Sequence, residues 1–185
     1  MALMYSVQLP IGSKVIDFKL PATDGQIYSP KDFLNHQGLL VIFTCNHCPY
    51  AKASLPILIE LYKEFGASVP FVAINPNDEV NYPDDSFSAM KDKAKEWGIS
   101  FPYLRDDTQE VAKSYQAQCT PDVYLYENDN GLKLFYHGRI NDNWQEPDKV
   151  IQHSLRDALK ALVNAEDPPK HQRPSMGCSI KWKNE

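Results

Sequence analysis

The chain has 185 residues, 43% of them apolar, and a formal net charge of −5. That suits one globular domain over residues 1–185 with a sizeable core, and it excludes wholesale disorder. The acidic balance, with no basic cluster interleaved with aromatics, argues against nucleic acid as a partner. No apolar run approaches the roughly 20 residues of a membrane helix, so no membrane partner is expected.

The N-terminal sequence MALMYSVQLPIGSKV lacks a basic stretch followed by a continuous apolar one. The chain is therefore expected to stay in the reducing cytoplasm, where thiols are the default state. Residues 1–35 read as a loose N-terminal extension. Within it, Val15–Leu20 and Gln26–Tyr28 are predicted to form a hairpin about Thr23-Asp24-Gly25. Ser29 then caps a short helical turn with Pro30 in its first position.

Leu39-Leu40-Val41-Ile42-Phe43 has no polar residue, the pattern of a strand buried on both faces. From Cys48 to Phe65 the apolar spacing is helical, with Gly66 as a stop and Pro56 expected to kink the helix. Phe71–Ile74 is the next buried strand. The order strand–helix–strand implies a parallel pair joined by a right-handed crossover. Residues 75–85, rich in Pro, Asn and Asp, read as a loop. A helix over Ser86–Trp97, a short strand over Phe101–Leu104 and a helix ending at Tyr115 follow. Asp122–Tyr126 and Leu132–Tyr136 alternate as a hairpin. Pro147–Val163 reads as a last amphipathic helix, and 167–185 as an extended, proline-rich tail. Ile180 and Trp182 alternate as in a docked strand, which predicts a tail fixed to the body.

The chemistry concentrates in Cys45-Asn46-His47-Cys48. A strand end followed by a helix start places Cys45 just before the helix, where free N–H groups and the helix dipole favour an anion. A thiolate is the nucleophile of disulfide exchange, so this position is expected to lower the pKa of Cys45. Two intervening residues bring Cys48 within reach to resolve a mixed disulfide. His47 offers a positive partner for the thiolate. The competing reading is half of a structural zinc site, giving a zinc-stabilised binding module. Its other half would have to come from Cys119 and Cys178, 59 positions apart. Pro121, after Thr120, opens a strand, a place that tolerates either a cis or a trans bond. Cys119 and Cys178 are either inert thiols or auxiliary ones. Arg139 reads as a surface charge or an anion partner.

Together these residues resemble the thioredoxin superfamily, in its AhpC/TSA, peroxiredoxin-like branch, and within that a group bearing the sequence C-N-H-C-P-Y. The likeness runs over nearly the whole chain: Val15–Pro21 with Thr23-Asp24-Gly25, Thr44–Tyr50, Asp107–Ala112, Cys119-Thr120-Pro121-Asp122, Gly138-Arg139-Ile140 and Gly177–Lys183. It implies an α/β thioredoxin fold, a central mixed sheet flanked by helices, with an N-terminal hairpin extension and a C-terminal tail. It implies a cis Thr120–Pro121 bond beside the dithiol, with Cys45 attacking and Cys48 resolving. The expected activity is thiol–disulfide exchange with a disulfide-containing protein or a small thiol compound, re-reduced by an unidentified electron donor, with no cofactor and no metal.

The alternative is an antioxidant thiol peroxidase with Cys48 as the peroxidatic thiol. Against it, Cys45 stands where peroxiredoxins carry a threonine. The peroxiredoxin arginine is missing near Thr120-Pro121, leaving only Arg105 or Arg139 as substitutes. Against thioredoxin, Leu39–Phe43 lacks the buried carboxylate, and Thr44 replaces the Trp before the first cysteine. Asp122 is the candidate proton acceptor for Cys48.

Overall fold

The computed structural model describes residues 2–183. Three short strands come from the extension: β1 (Leu3–Tyr5), then β2 (Leu20–Pro21) paired with β3 (Ile27–Tyr28). The predicted strand over Val15–Leu20 shrinks to its last residue plus Pro21. Upstream, the backbone is satisfied piecemeal: Val15 N–H donates to Leu132 O, and the Asp17 carboxylate accepts the Phe18 N–H. No continuous ladder is left for a strand to join. A 3₁₀ turn, Pro30–Phe33, follows Ser29 as expected, and the Asp32 carboxylate accepts the Ser29 N–H.

The main sheet begins with β4 (Gly38–Phe43), every residue of which is buried. Helix α1 (Pro49–Phe65) runs on through Pro56, and β5 (Phe71–Asn75) pairs parallel with β4. Helix α2 (Phe87–Glu96) is capped by Ser86 Oγ and ends before Gly98, whose φ of +65° only glycine adopts cheaply. β6 (Tyr103–Arg105), α3 (Glu110–Ser114), β7 (Cys119–Thr120), β8 (Asp122–Asn128) and β9 (Leu132–His137) follow. The five-stranded order is β6-β5-β4-β8-β9, with β8 antiparallel to β4, a mixed sheet. One face packs on Leu58, Leu61 and Phe65 of α1 and on Leu155, Leu159 and Leu162; the other packs on Phe18, Phe33 and Tyr115.

The predicted helix Pro147–Val163 divides. Pro147–Lys149 is a 3₁₀ turn, and α4 is only Ser154–Val163. Ile151 is 85% exposed, outside the apolar stripe of Leu155, Ala158, Leu159 and Leu162. Asp142 takes the Ile151 N–H, so the backbone there is bonded away from a helix.

The tail is docked. β10 (Met176–Ser179) lies between β1 and β7 in a second, antiparallel three-stranded sheet, with Leu3 opposite Cys178 and Cys178 opposite Thr120. The two ends of the chain thus meet on the strand that leads into Pro121, and the supposedly loose N-terminus supplies a strand that periodicity did not reveal. Among the described residues no helix is long and apolar enough to cross a membrane.

Gly177 makes this close approach possible. A Cβ there would lie 2.1 Å from Thr120 O, which is backbone and has little room to give. Gly177→Ala should therefore destabilise the fold by about 1–3 kcal/mol, as overpacking does. Urea unfolding followed by circular dichroism should show this loss.

Candidate active site

Cys45 follows the C-terminal end of β4, and Cys48 is the residue from which α1 starts, with Pro49 in the first helical position. The Thr120–Pro121 bond, at the head of β8, is cis and faces them. Thr120 touches both sulfurs. Its Oγ1 is 3.3 Å from Cys45 Sγ, and its carbonyl oxygen is 3.3 Å from Cys48 Sγ, a hydrogen bond made when Cys48 carries a proton. All four cysteines are thiols, and Cys45, Cys48 and Cys178 pack in one buried cluster with Ala51.

The charge sits differently from the sequence expectation. The Cys45 thiol donates to Cys48, which pushes the Cys45 pKa up; burial and the nearby Asp85 charge push it further. Cys48 is held down to about 5. The hydrogen bond from Cys45 is the largest cause, opposed by burial and helped by the Cys178 thiol and the N–H groups of Ala51 and Cys178. Cys48 makes no capping bond of regular geometry, yet the helix start favours its sulfur rather than that of Cys45. The reason is positional: the first turn of α1 closes over its own cap residue. Cys178 is raised to about 12 by burial and by donating to Cys48, and burial also raises Cys119.

His47 does not face a sulfur as a lone cation. Its Nδ1 is 2.5 Å from Asp85 Oδ2, and its ring stacks on Tyr82 at 5.2 Å. The fully buried Asp85 also accepts from the Asn46 N–H (2.6 Å), Asn77 Nδ2 (2.8 Å) and Asn75 Nδ2 (3.2 Å). Burial works against its charge, but the hydrogen bonds of His47, Asn77 and Asn46 prevail and hold its pKa below the usual carboxylate range. Facing an ionised carboxylate, His47 Nδ1 carries the proton, which leaves Nε2 buried without a hydrogen-bond partner among the described residues. Asp85 was missed by sequence reading because one Asp among several in a polar loop carries no local signal. Among the described residues, Cys45 Sγ, a His47 nitrogen and an Asp85 oxygen lie within 4.8 Å of one another, close enough to share a metal ion.

The other expected participants are engaged elsewhere. Asp122 is fully buried, with one oxygen on His137 Nε2 (3.1 Å) and the other on Tyr124 OH (3.1 Å). Its carboxylate anchors β9 and is not free to take a proton from Cys48. Arg105 spends its guanidinium on the Asn77 and Asp85 carbonyls and on Asp107. Arg139 bonds Gln152 and Ser154. Cys119 Sγ rests on the Pro121 carbonyl at 3.8 Å. Arg139 also lines a groove of about 340 Å³ beside Pro121, with Trp144 and Arg173.

A buried dithiol at a helix start, faced by a cis-proline loop on a mixed sheet, defines a thioredoxin-fold protein with a CxxC site. The chain belongs to the AhpC/TSA family, whose model matches residues 11–134. It is similar to an uncharacterized conserved protein from Geobacillus kaustophilus: 40% identical, TM-score 0.94, covering 100% of this chain and 98% of that one. It is 24% identical over 133 residues to the thiol-disulfide oxidoreductase ResA of Bacillus subtilis (strain 168), covering 71% of this chain and 70% of that protein. The thioredoxin domain of a thiol-disulfide oxidoreductase from Bacteroides vulgatus shares the fold, with a TM-score of 0.58 at 18% identity, covering 71% of this chain and 91% of that one.

Two expectations follow. Thiolate absorbance near 240 nm should rise with a midpoint near pH 5 in the reduced protein. Cys45→Ala should move that midpoint upward, because it removes the main donor to Cys48.

Asp85→Asn should destabilise the protein by about 1–3 kcal/mol, because the amide NH2 that replaces one carboxylate oxygen cannot accept a hydrogen bond and leaves a buried donor unsatisfied. An unfolded Asp titrates near 3.9, and the folded value is lower. The stability Asp85 contributes is thus complete above roughly pH 4 and lost as pH falls through the folded value. Denaturation curves across pH 2–6 should show that the variant lacks this part of the acid loss.

Proposed function

We propose that this chain is a thiol–disulfide oxidoreductase in which Cys45 attacks a substrate disulfide and Cys48 resolves the mixed disulfide. The observation that carries the reading is geometric: two buried thiols, separated by two residues at the start of α1, both touch Thr120 of the cis-proline loop. The two thiols are coupled: hydrogen bonding between them pushes the Cys45 pKa up and holds that of Cys48 down. Moving the proton from Cys45 to Cys48 makes Cys45 the nucleophile without taking a charge from solvent. Cys48 thereby fills the role of the proton acceptor that Leu39–Phe43 and Asp122 do not supply. Cys45 lies outside the helix and is slightly exposed, while Cys48 is fully enclosed, so access favours Cys45. As Cys45 attacks, one substrate sulfur leaves as a thiolate. Cys48 then attacks Cys45, the second substrate sulfur leaves, and the Cys45–Cys48 disulfide remains. Thr120 Oγ1, beside Cys45, is placed to donate to the charge that forms there.

The family membership and the likeness to proteins named thiol-disulfide oxidoreductase support this reading. The substrate is a disulfide-containing protein or small molecule, and a separate donor restores the dithiol. The groove beside Pro121, lined by Trp144, Ile140, Arg139, Arg173 and Asp142, is the place for substrate groups that flank the disulfide. The cytoplasm, where the couple would act as a reductant, is the compartment we propose.

Reduced wild-type protein should cleave an insulin disulfide, and Cys45→Ser and Cys48→Ser should each lower that rate to background. Cys48→Ser should also accumulate a mixed disulfide at Cys45, read by mass spectrometry. If Cys45→Ser instead keeps full consumption of hydrogen peroxide through Cys48, the protein is a thiol peroxidase and the assignment above fails.

A further inference from the structure

The edge of β7 beside the two sulfurs is a place where an extended chain can add itself as a strand. In this protein the chain's own C-terminal segment holds that edge. β10 runs antiparallel to β7, with Cys178 opposite Thr120 and Ser179 opposite Cys119. The residue facing Thr120, which itself contacts Cys45 and Cys48, is thus a third cysteine. It packs with Cys45 and Cys48 in one buried cluster.

The seat of Cys178 is built from both sides. Upstream, Ser175 N–H donates to Ser6 Oγ and Ser175 Oγ donates to Gly138 O, each at 2.9 Å. Gly177 lets the backbone come closer to Thr120 than any side chain would allow. Downstream, Lys181 N–H donates to Asn77 Oδ1 at 2.9 Å, and Lys181 O accepts from Asp78 N–H and Gln109 Nε2. Asn77 is also a donor to Asp85, so the segment that carries Cys178 is pinned to the same network that seats His47.

We propose that Cys178 is a third redox thiol, and that the C-terminal strand acts as an internal substrate which takes over the disulfide from Cys45–Cys48. This rests on the dithiol reading above. In the step, the Cys178 thiolate attacks Cys48 Sγ. The Cys48–Cys178 bond forms, the Cys45–Cys48 bond breaks, and Cys45 leaves as a thiolate that takes up the proton released by Cys178. The exchange is isoelectronic and needs no external oxidant. Its consequence is regulatory. With Cys48 and Cys178 joined, β10 is tethered to the β7 edge and Cys45 is again a thiol. The Cys45–Cys48 couple is then out of action until a reductant acts on the new disulfide.

The test is disulfide mapping of the full chain. Wild type, Cys45→Ser and Cys178→Ser are titrated with a limiting amount of oxidised glutathione. They are then quenched in acid, alkylated and digested without reductant. Wild type should yield both Cys45–Cys48 and Cys48–Cys178 peptides, and Cys45→Ser should yield Cys48–Cys178 as its main linkage. Cys178→Ser should yield Cys45–Cys48 alone. Wild-type mapping decides the matter even if a variant fails to fold. If Cys45–Cys48 forms but no peptide contains a Cys48–Cys178 bond in wild type or in Cys45→Ser, the relay is wrong and the dithiol reading stands. If Cys45–Cys48 forms in neither wild type nor Cys178→Ser, the dithiol reading itself has failed. A Cys119–Cys178 linkage in place of Cys48–Cys178 also overturns the relay.

Discussion

A carboxylate with no exposure to water, Asp85, sets the geometry around it. Stripping a charge of its water costs several kcal/mol, and the cost is tolerable only where donors replace the lost hydration. Asp85 obtains four: the Asn46 N–H and the side chains of His47, Asn75 and Asn77. Each of these residues is thereby fixed. Asn46 and His47 are the two residues between the cysteines, so the loop that spaces the sulfurs is shaped by a residue 38 positions later. Asn75 ends β5 and also bonds Tyr103 of β6. Asn77 reaches the C-terminal segment at Lys181. Parallel strands, dithiol loop and tail all lean on one buried charge.

That charge also shapes the redox pair. A negative group behind Cys45 disfavours a thiolate there, while the start of α1 and the thiols around Cys48 favour one on Cys48. Burial raises every thiol in the cluster, so hydrogen bonding, not solvation, decides which sulfur holds the charge. The outcome separates two properties that sequence reading had joined on Cys45. The enclosed sulfur stores the charge, and the outer sulfur has the access. One proton moving between adjacent sulfurs connects them.

The two chain ends add a second sheet against this centre. β1 and β10 have few residues each, and a short antiparallel pair is marginal by itself in water. They hold because β10 also pairs with β7, because Gly177 allows close approach to Thr120, and because Ser6, Gly138 and Asn77 fasten the flanks. The tail is thus an integral part of the site's wall.

The sequence by itself determined what depends on near neighbours. The unbroken apolar run of β4, the helical spacing after Cys48, the stop at Gly98 and the hairpin of β8 and β9 are local patterns, and each appears where the pattern lies. The CxxC at the mouth of a helix was legible for the same reason, and so was the docking of Ile180 and Trp182. The helix expected from Pro147 was cut to Ser154 because Asp142, a loop residue, captured the backbone ahead of it. The tertiary structure alone decided the rest. Asp85 becomes a site residue only when β5 brings its loop under Asn46. Cys178 becomes a partner of Cys48 only when the last strand pairs with β7. The charge settles on Cys48 because a pKa reports every group packed around a sulfur, and sequence order places those groups far apart along the chain.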